Sequence, residues 1–294
     1  MTAALVIGEA LIDIVETDAG DVELVGGSPA NVAVGLARQR HDVRLLTRLG
    51  RDDRGRRIAD QVSESGAVVD DASWTDAATS TARARLRADG SAEYEFAIDW
   101  SLPAQEAPQA RLVHTGSIAL FLEPGGATVL DALRTAAGGA LVSVDPNIRP
   151  ALVGAHGDAL SRFEAAASVA DLVKLSDEDA EWLYPGLAPA AVLGAIAALG
   201  PRIVVMTRGG EGAIGLGPGG IASVDALPVS VADTIGAGDA YMASLISSAL
   251  DDAAVFDDPA LFAQALRRAA VMAGITVSRA GANPPTRAEV DAAR

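Results

Sequence analysis

Cysteine is absent from the 294 residues, which excludes disulfides, thiolate-bound metal and a thiol nucleophile, and makes a reducing compartment, the cytoplasm, the expected setting. Lysine occurs once, at Lys174, inside Val173-Lys174-Leu175. A Walker A loop must end in Gly-Lys-Ser/Thr, so a P-loop nucleotide site is excluded. A pyridoxal Schiff base would have to form on Lys174, and nothing else in the sequence supports one. Histidine is nearly as scarce: His41, His114 and His156 have no motif partners, leaving a serine triad or a zinc centre without support. No apolar run approaches the roughly 20 residues of a membrane-spanning helix. The opening MTAALVIGEALIDIV is apolar but has no basic lead and is interrupted by Glu9 and Asp13, so it is expected to be a buried strand rather than an export signal. Positive charge is also short. The net charge of −16 argues against nucleic acid and anionic membrane as partners, and a bound nucleotide would need positive potential supplied locally.

What remains is a chain rich in short apolar runs that alternate with segments of helical period, the pattern of a doubly wound, mostly parallel α/β sheet flanked by helices. Strands are predicted at 3–8, 43–48, 111–116, 140–145, 171–175 and 202–207. One helix is predicted to start with Ser28 as N-cap and Pro29 in the first turn. Others are expected over about 55–65, ending at Gly66, and over about 260–277, burying Phe262, Leu266, Ala269, Ala270 and Ala273. No repeat or linker divides residues 1–294, so one main domain is expected. Segments of about 11–25 and 80–98, the second with an Asp89-Gly90 turn, instead alternate like hairpins, with Thr81, Arg83, Arg85 and Arg87 on one face. They predict a small separate sheet, which could be a lid, a dimer surface or decoration.

The most informative string is Asp233-Thr234-Ile235-Gly236-Ala237-Gly238-Asp239, which runs directly into a helix. Glycines at a helix start let backbone amides converge on an anion, where the helix dipole also favours negative charge. A lone aspartate there would ordinarily only complement the dipole. Beside a glycine nest, Asp239 supplies the second part that phosphoryl transfer needs, an acceptor for the attacking hydroxyl's proton, while Gly236, Ala237 and Gly238 supply the first. A second cluster, Gly26-Gly27-Ser28-Pro29-Ala30-Asn31, offers close backbone approach at Gly26 and Gly27 and an amide at Asn31 able to bind hydroxyls, or is a plain strand-to-helix turn. Asp13 could accept sugar hydroxyls or be solvated. Arg149, in Asp145-Pro146-Asn147-Ile148-Arg149, follows a buried strand at the edge where open α/β sheets hold ligands; it could face an anion or cap a helix. Lys174 to Asp179 follows the next strand, and its acidic run reads as a helix start or a magnesium shell. Thr207 to Gly215 contains Gly-x-Gly-x-x-Gly, but Ala213–Leu216 and Ile221–Ala226 around Gly217-Pro218-Gly219-Gly220 read as a hairpin, which excludes the dinucleotide-binding motif and leaves nucleotide contact by Thr207 and Gly209 open.

With these pieces together, nearly the whole chain resembles the PfkB or ribokinase family of carbohydrate kinases. Asp-Thr-Ile-Gly-Ala-Gly-Asp at 233–239 is similar to the family's C-terminal signature. Gly26-Gly27…Asn31, continuing through Arg48-Leu49-Gly50-Arg51-Asp52 to Gly55, is similar to its first one. The resemblance implies a ribokinase-like fold with a small β-sheet lid, ATP and magnesium, and a sugar as partner. It implies Asp239 as base, Gly236, Ala237 and Gly238 as the anion hole, and Asp13, Gly26, Gly27, Asn31 and Arg149 toward the sugar. Lys174, Ser176, Thr207, Gly209 and Gly212 would lie toward ATP, Ala273 and Gly281 beside adenine, and a monovalent cation, potassium, near Asp233 and Ile235. Many members carry Asn-x-x-Glu where this chain has Ser176 and Asp179, so magnesium at Asp179 departs from the pattern. Gly8-Glu9-Ala10-Leu11-Ile12-Asp13, Gly116-Ser117-Ile118, Asp145-Pro146-Asn147-Ile148-Arg149-Pro150 and Lys174-Leu175-Ser176 look most like bacterial fructokinases, which implies fructose as substrate and fructose 6-phosphate as product, although the Asp-x-Asn-x-Arg segment is shared with the runner-up. The runner-up is 2-keto-3-deoxygluconate kinase, whose acidic substrate would favour a basic group near 94–102, where Asp99 stands. Nucleoside kinases of the fold favour aromatic stacking, in which this chain, 4% aromatic, is poor. A catalytically silent sugar-binding protein on the same fold is the alternative from a different class.

Overall fold

The computed structural model describes residues 2–17, 20–86, 92–103 and 109–293. Its main sheet has nine strands in the spatial order Gly220–Val224, Ala213–Gly217, Ile203–Thr207, Leu172–Ser176, Leu141–Asp145, Ala110–Gly116, Thr2–Ile7, Val43–Leu46 and Val68–Val69. From Ile203–Thr207 onward the strands run parallel, and an antiparallel hairpin closes one edge. Because side chains alternate and both faces are covered, the strand sequences are almost continuously apolar. Leu172, Ile203 and Val205 enter the core on one side, built with helices Ser28–Arg38, Ala237–Asp251 and Pro259–Val277. Val173, Val204 and Met206 enter the other, built with Gly125–Ala136, His156–Ala167 and Pro189–Ala197.

The predicted strands stand where expected to within two residues. Helix Pro259–Val277 is, among the described residues, the one long and apolar enough to span a bilayer by length and composition; it packs Phe262, Leu266 and Met272 into the core. Ala273, expected to be buried with them, is only half-buried and faces a cavity. After Thr207 the chain makes a short turn over Gly209–Glu211 and then the strand Ala213–Gly217, so the glycine-rich string indeed opens a hairpin and not a helix. Its glycines serve packing: a Cβ on Gly215 or Gly217 would stand 2.8 or 2.9 Å from the ring of Phe262.

The two hairpin segments join into one four-stranded sheet, Gly20–Gly26, Leu11–Thr17, Thr81–Leu86, Ala92–Ala97, whose middle pair is parallel. Ile12 and Ile14 bury one face of it on the body, and Glu23 pairs with Arg54 and Arg57 of helix Asp53–Glu64. In the register Arg83 lies opposite Glu95. Arg87 and the Asp89-Gly90 turn lie outside the described residues.

Phe262→Ala should cost roughly 3–5 kcal/mol, because the two glycines beneath the ring leave a void no neighbour can fill. Urea unfolding checks it; a loss below about 1 kcal/mol would mean the hairpin edge collapses onto the helix.

Candidate active site

The C-terminal ends of the parallel strands open on one edge, where helix Ala237–Asp251 begins with Gly236 in the left-handed region at φ 76°. Asp239 sits in that first turn, 8% exposed. Ser28 Oγ donates to its Oδ1 at 2.7 Å and Asn31 Nδ2 to its Oδ2 at 2.8 Å. Both donors come from helix Ser28–Arg38, which lies close because Gly35 faces Ala243: a Cβ there would stand 2.8 Å from the alanine methyl. Burial pushes the Asp239 carboxyl above its usual range, and the two hydrogen bonds with the charges of Lys174 and Arg149 offset only part of that.

The start of helix Ser28–Arg38 corrects the sequence reading. Its N-cap is Gly27, not Ser28, at φ 110° and with no room for a side chain, since a Cβ would stand 2.4 Å from Glu9 O. One residue further along, Ser28 is free to turn its hydroxyl to Asp239 instead of capping. A hydroxyl just ahead of a helical run is the ordinary signal of a cap, so nothing in the sequence distinguished the two uses.

Lys174 is the cation of this site. It is 3% exposed, with Nζ 3.0 Å from Asp145 Oδ2 and 3.2 Å from the place a Cβ on Gly238 would take. Burial draws the ammonium's pKa down, but Asp145, Asp179 and Asp239 outweigh it and the net direction is up. Three carboxylates thus compete for one ammonium. Asp145 Oδ1 is buried and has no hydrogen-bond partner. Asp179 belongs to a capping box with Ser176: its Oδ2 accepts from Ser176 N at 2.9 Å, while its Oδ1 accepts from Ile148 N at 2.6 Å. The helix-start reading of the acidic run is therefore the one its hydrogen bonds display. Among the described residues no three acidic or histidine side chains converge as a metal cage.

Lys174, Arg149, Thr207 and the Gly236 to Asp239 turn share a cavity of about 960 Å³ with Ser176, Gly209, Gly212 and Ala273. Leu227, Val229, Ala273 and Val277 make one end apolar, and Asp177 and Glu178 stand on its wall. Beyond Arg149 lies Asp13, whose carboxylate fills the space above Gly26: a Cβ there would stand 2.0 Å from Oδ2. Burial raises the Asp13 pKa against the charge of Arg149. Glu9, which the sequence reading quoted but gave no role, is buried nearby; burial pushes it up to about 8 against hydrogen bonds from Ser117 and Ala119 and the charge of Arg149. Arg149 itself is exposed and donates to the carbonyls of Asn147 and Ile148 at 3.4 and 3.1 Å.

Asp233, Ile235 and Gly281 are not on the cavity wall. Asp233 Oδ1 accepts from Ile235 N at 3.0 Å and Oδ2 from Gly281 N at 2.9 Å, which holds its carboxyl below the usual range and ties the loop leading into Gly236. Gly281, expected beside adenine, donates its amide to Asp233 in that loop. Chemically, the arrangement combines a buried proton acceptor, a helix N-terminus and one ammonium in a cavity that also has apolar lining.

Three comparisons bear on this geometry. The sequence pattern of "pfkB family carbohydrate kinase" matches residues 1–289. The chain is 32% identical to the probable fructokinase-4 of Arabidopsis thaliana, across 96% of this chain and 94% of that one. In structure it is similar to the fructokinase of Xylella fastidiosa with bound ATP, at 27% identity and a TM-score of 0.85 over 99% and 97% of the two chains. It is also similar to the fructokinase of Vibrio cholerae O395 in its fructose-, ADP- and calcium-bound form, at 26% identity and 0.87 over 99% and 98%.

Burial of Asp239 has a consequence for stability. Its pKa in the folded chain lies above the unfolded value of about 4, so above the folded pKa the native state carries a penalty that disappears once both states are protonated. Asp239→Asn, fixed in the neutral form, should melt above wild type at pH 7, with the difference shrinking toward zero as pH falls to about 4. Calorimetry at the two pH values checks this; a variant less stable at pH 7 would mean that Ser28, Asn31 and Lys174 overcompensate the burial.

Proposed function

The chain belongs to the pfkB family of carbohydrate kinases, and from that premise we propose that it transfers the γ-phosphoryl group of ATP to D-fructose, giving fructose 6-phosphate, with Asp239 as the base. The observation that carries this reading is the buried Asp239 carboxylate, held at both oxygens in the first turn of a helix whose start lines a shared cavity. Ser28 and Asn31 each occupy one acceptor position on their oxygen, leaving others for the sugar hydroxyl. As the hydroxyl oxygen bonds to phosphorus and the bridging bond to ADP breaks, its proton passes to Asp239. The amides of Gly236, Ala237 and Gly238 receive the negative charge that develops on the moving group, stabilised by the helix N-terminus.

The apolar arm formed by Leu227, Val229, Ala273 and Val277 suits a purine, with Thr207, Gly209 and Gly212 between it and Gly236. Magnesium would arrive with the nucleotide, supplying charge neutralisation, and Asp177 and Glu178 on the wall suit its hydration shell better than Asp179, whose oxygens already accept backbone amides. A potassium ion would belong to the loop tied by Asp233. On the sugar side Asp13, Asn31 and the glycines 26 and 27 offer acceptors and close backbone approach. Arg48 is paired with Asp99 at 3.4 Å, whereas Arg149 is exposed and donates only to backbone carbonyls, which leaves it able to meet a sugar's oxygens or an acid's carboxylate. The similarity to fructokinases is what favours fructose over 2-keto-3-deoxygluconate. Asp13 lies on the small sheet, which supports a lid role for it, and the exposure of Val22 and Leu24 on the outer strand supports pairing of two copies there.

ADP production across fructose, 2-keto-3-deoxygluconate, ribose and adenosine tests the reading. Fructose should give the highest kcat/KM; a tenfold preference for the keto acid would overturn the substrate and keep the family, and silence on every sugar would favour a binding protein. Asp239→Asn should lower kcat by roughly 10² or more while ATP affinity stays within about threefold, the scale of a positioned general base. Ser28→Ala removes a hydrogen bond that favours the carboxylate, so the acidic limb of kcat/KM should move to higher pH; a limb left in place would assign that titration to another group.

A further inference from the structure

The only ammonium side chain of this protein is buried at the heart of its cavity, and its surroundings are not those of a structural ion pair. Burying such a pair commonly adds little stability over apolar residues of the same size, so stability alone gives no reason for the choice. Gly238 leaves Lys174 Nζ room to lie against the helix turn: the 3.2 Å gap to a Cβ at that position is tighter than ordinary contact. Asp145 fixes the ammonium from the opposite side at 3.0 Å through one oxygen only. Its other oxygen is buried and unmet, a condition that stability by itself disfavours. The pair also stands beside Asp239, which receives the proton in the proposed reaction.

We propose that Lys174 is a further catalytic residue, its ammonium touching the phosphoryl group in transit beside the amides of Gly236 to Gly238, and that Asp145 is a positioning residue that holds it against Gly238. The inference rests on the kinase reading above. Backbone amides supply partial charges only, whereas the transferred group is an anion approaching two buried carboxylates, Asp239 and Asp145. A full positive charge between them removes that repulsion, and in a water-poor site its attraction for the charge on the equatorial oxygens is far stronger than in solvent. The ammonium stays protonated throughout; the hydroxyl's proton still goes to Asp239 and the leaving group is ADP. Asp145 acts through Lys174 alone, because its free oxygen is enclosed and its other one is engaged.

The test compares Lys174→Met, Lys174→Arg, Asp145→Asn and the Lys174→Met/Asp145→Asn double variant with wild type. Turnover is measured on whichever sugar the wild type uses best, melting temperature on each variant, and affinity for ADP and for a non-hydrolysable ATP analogue by calorimetry. Lys174→Met should lower kcat by about 10²-fold or more, as loss of one donor from a charge-stabilising site does. It should weaken the ATP analogue more than ADP. Asp145→Asn should lower kcat by roughly tenfold with the sugar KM unchanged, as loss of a supporting partner does. The double variant should be no slower than Lys174→Met. Lys174→Arg keeps the charge but moves it from the place that Nζ takes against Gly238, so it should be slow as well. Multiplicative losses in the double variant, or Lys174→Met or Lys174→Arg keeping more than a third of kcat with only the melting temperature lowered, would make the pair structural and overturn the proposal. Preference for a sugar other than fructose would overturn the substrate and leave these ratios to decide Lys174. In a chain that phosphorylates no sugar, an unchanged ratio of ADP to ATP-analogue affinity in Lys174→Met would overturn it.

Discussion

A carboxylate kept out of water at the start of a helix is the constraint around which this structure is arranged. Left alone, Asp239 would bind a proton rather than be ready to take one. Two helices meet closely enough, through Gly35 and Ala243, for Ser28 and Asn31 to reach it, and Gly27 sets the chain so that the serine is turned inward. Lys174 and Arg149 bring positive charge to a chain that has little of it. The packing of helix Ser28–Arg38 on helix Ala237–Asp251 is therefore as much part of the site's chemistry as any residue on the cavity wall.

Much of the architecture is legible in the sequence because the same residues that make the strands make the core. Uninterrupted apolar runs could only belong to a sheet covered on both faces, and alternation at Thr81 to Ile98 could only belong to a half-exposed one. The glycine nest before Asp239 is legible for a similar reason, since backbone amides require small residues beside them. Other features resist reading because one residue type has two uses. Ser28 has the signature of a cap and serves instead as a donor to a carboxylate far along the chain. Gly215 and Gly217 read as part of a hairpin, and nothing in that pattern announces that they admit the ring of Phe262. Asp52 and Gly55, which look like part of a binding signature, tie a turn: Asp52 accepts from Gly55 N at 2.8 Å and from Thr79 N at 2.9 Å.

Lys174 is the most telling case. A single lysine in a chain of this length excludes enzyme classes, but only the fold shows that this one ammonium is buried beside Asp145 and Gly238. Asp145 gives no signal of that pairing, since an aspartate after a buried strand is common and only the fold brings it to within 3.0 Å of the lysine. Contacts between residues distant in sequence are decided by topology, and local pattern carries no trace of them.

The middle of the small sheet is a parallel pair, Leu11–Thr17 beside Thr81–Leu86, with Ile12 N bonded to Ser80 O at 3.1 Å. Each hairpin can form on its own, but the seam between them closes a loop containing helix Ser28–Arg38, helix Asp53–Glu64 and two strands of the main sheet. The entropy of that closure falls only once those elements have condensed. The sheet that carries Asp13 is thereby joined by a long-range pairing, whose closure is favoured by the elements already packed inside the loop. The position of Asp13 relative to the main body is set by that seam and so by chain topology, not by the hairpin that contains it.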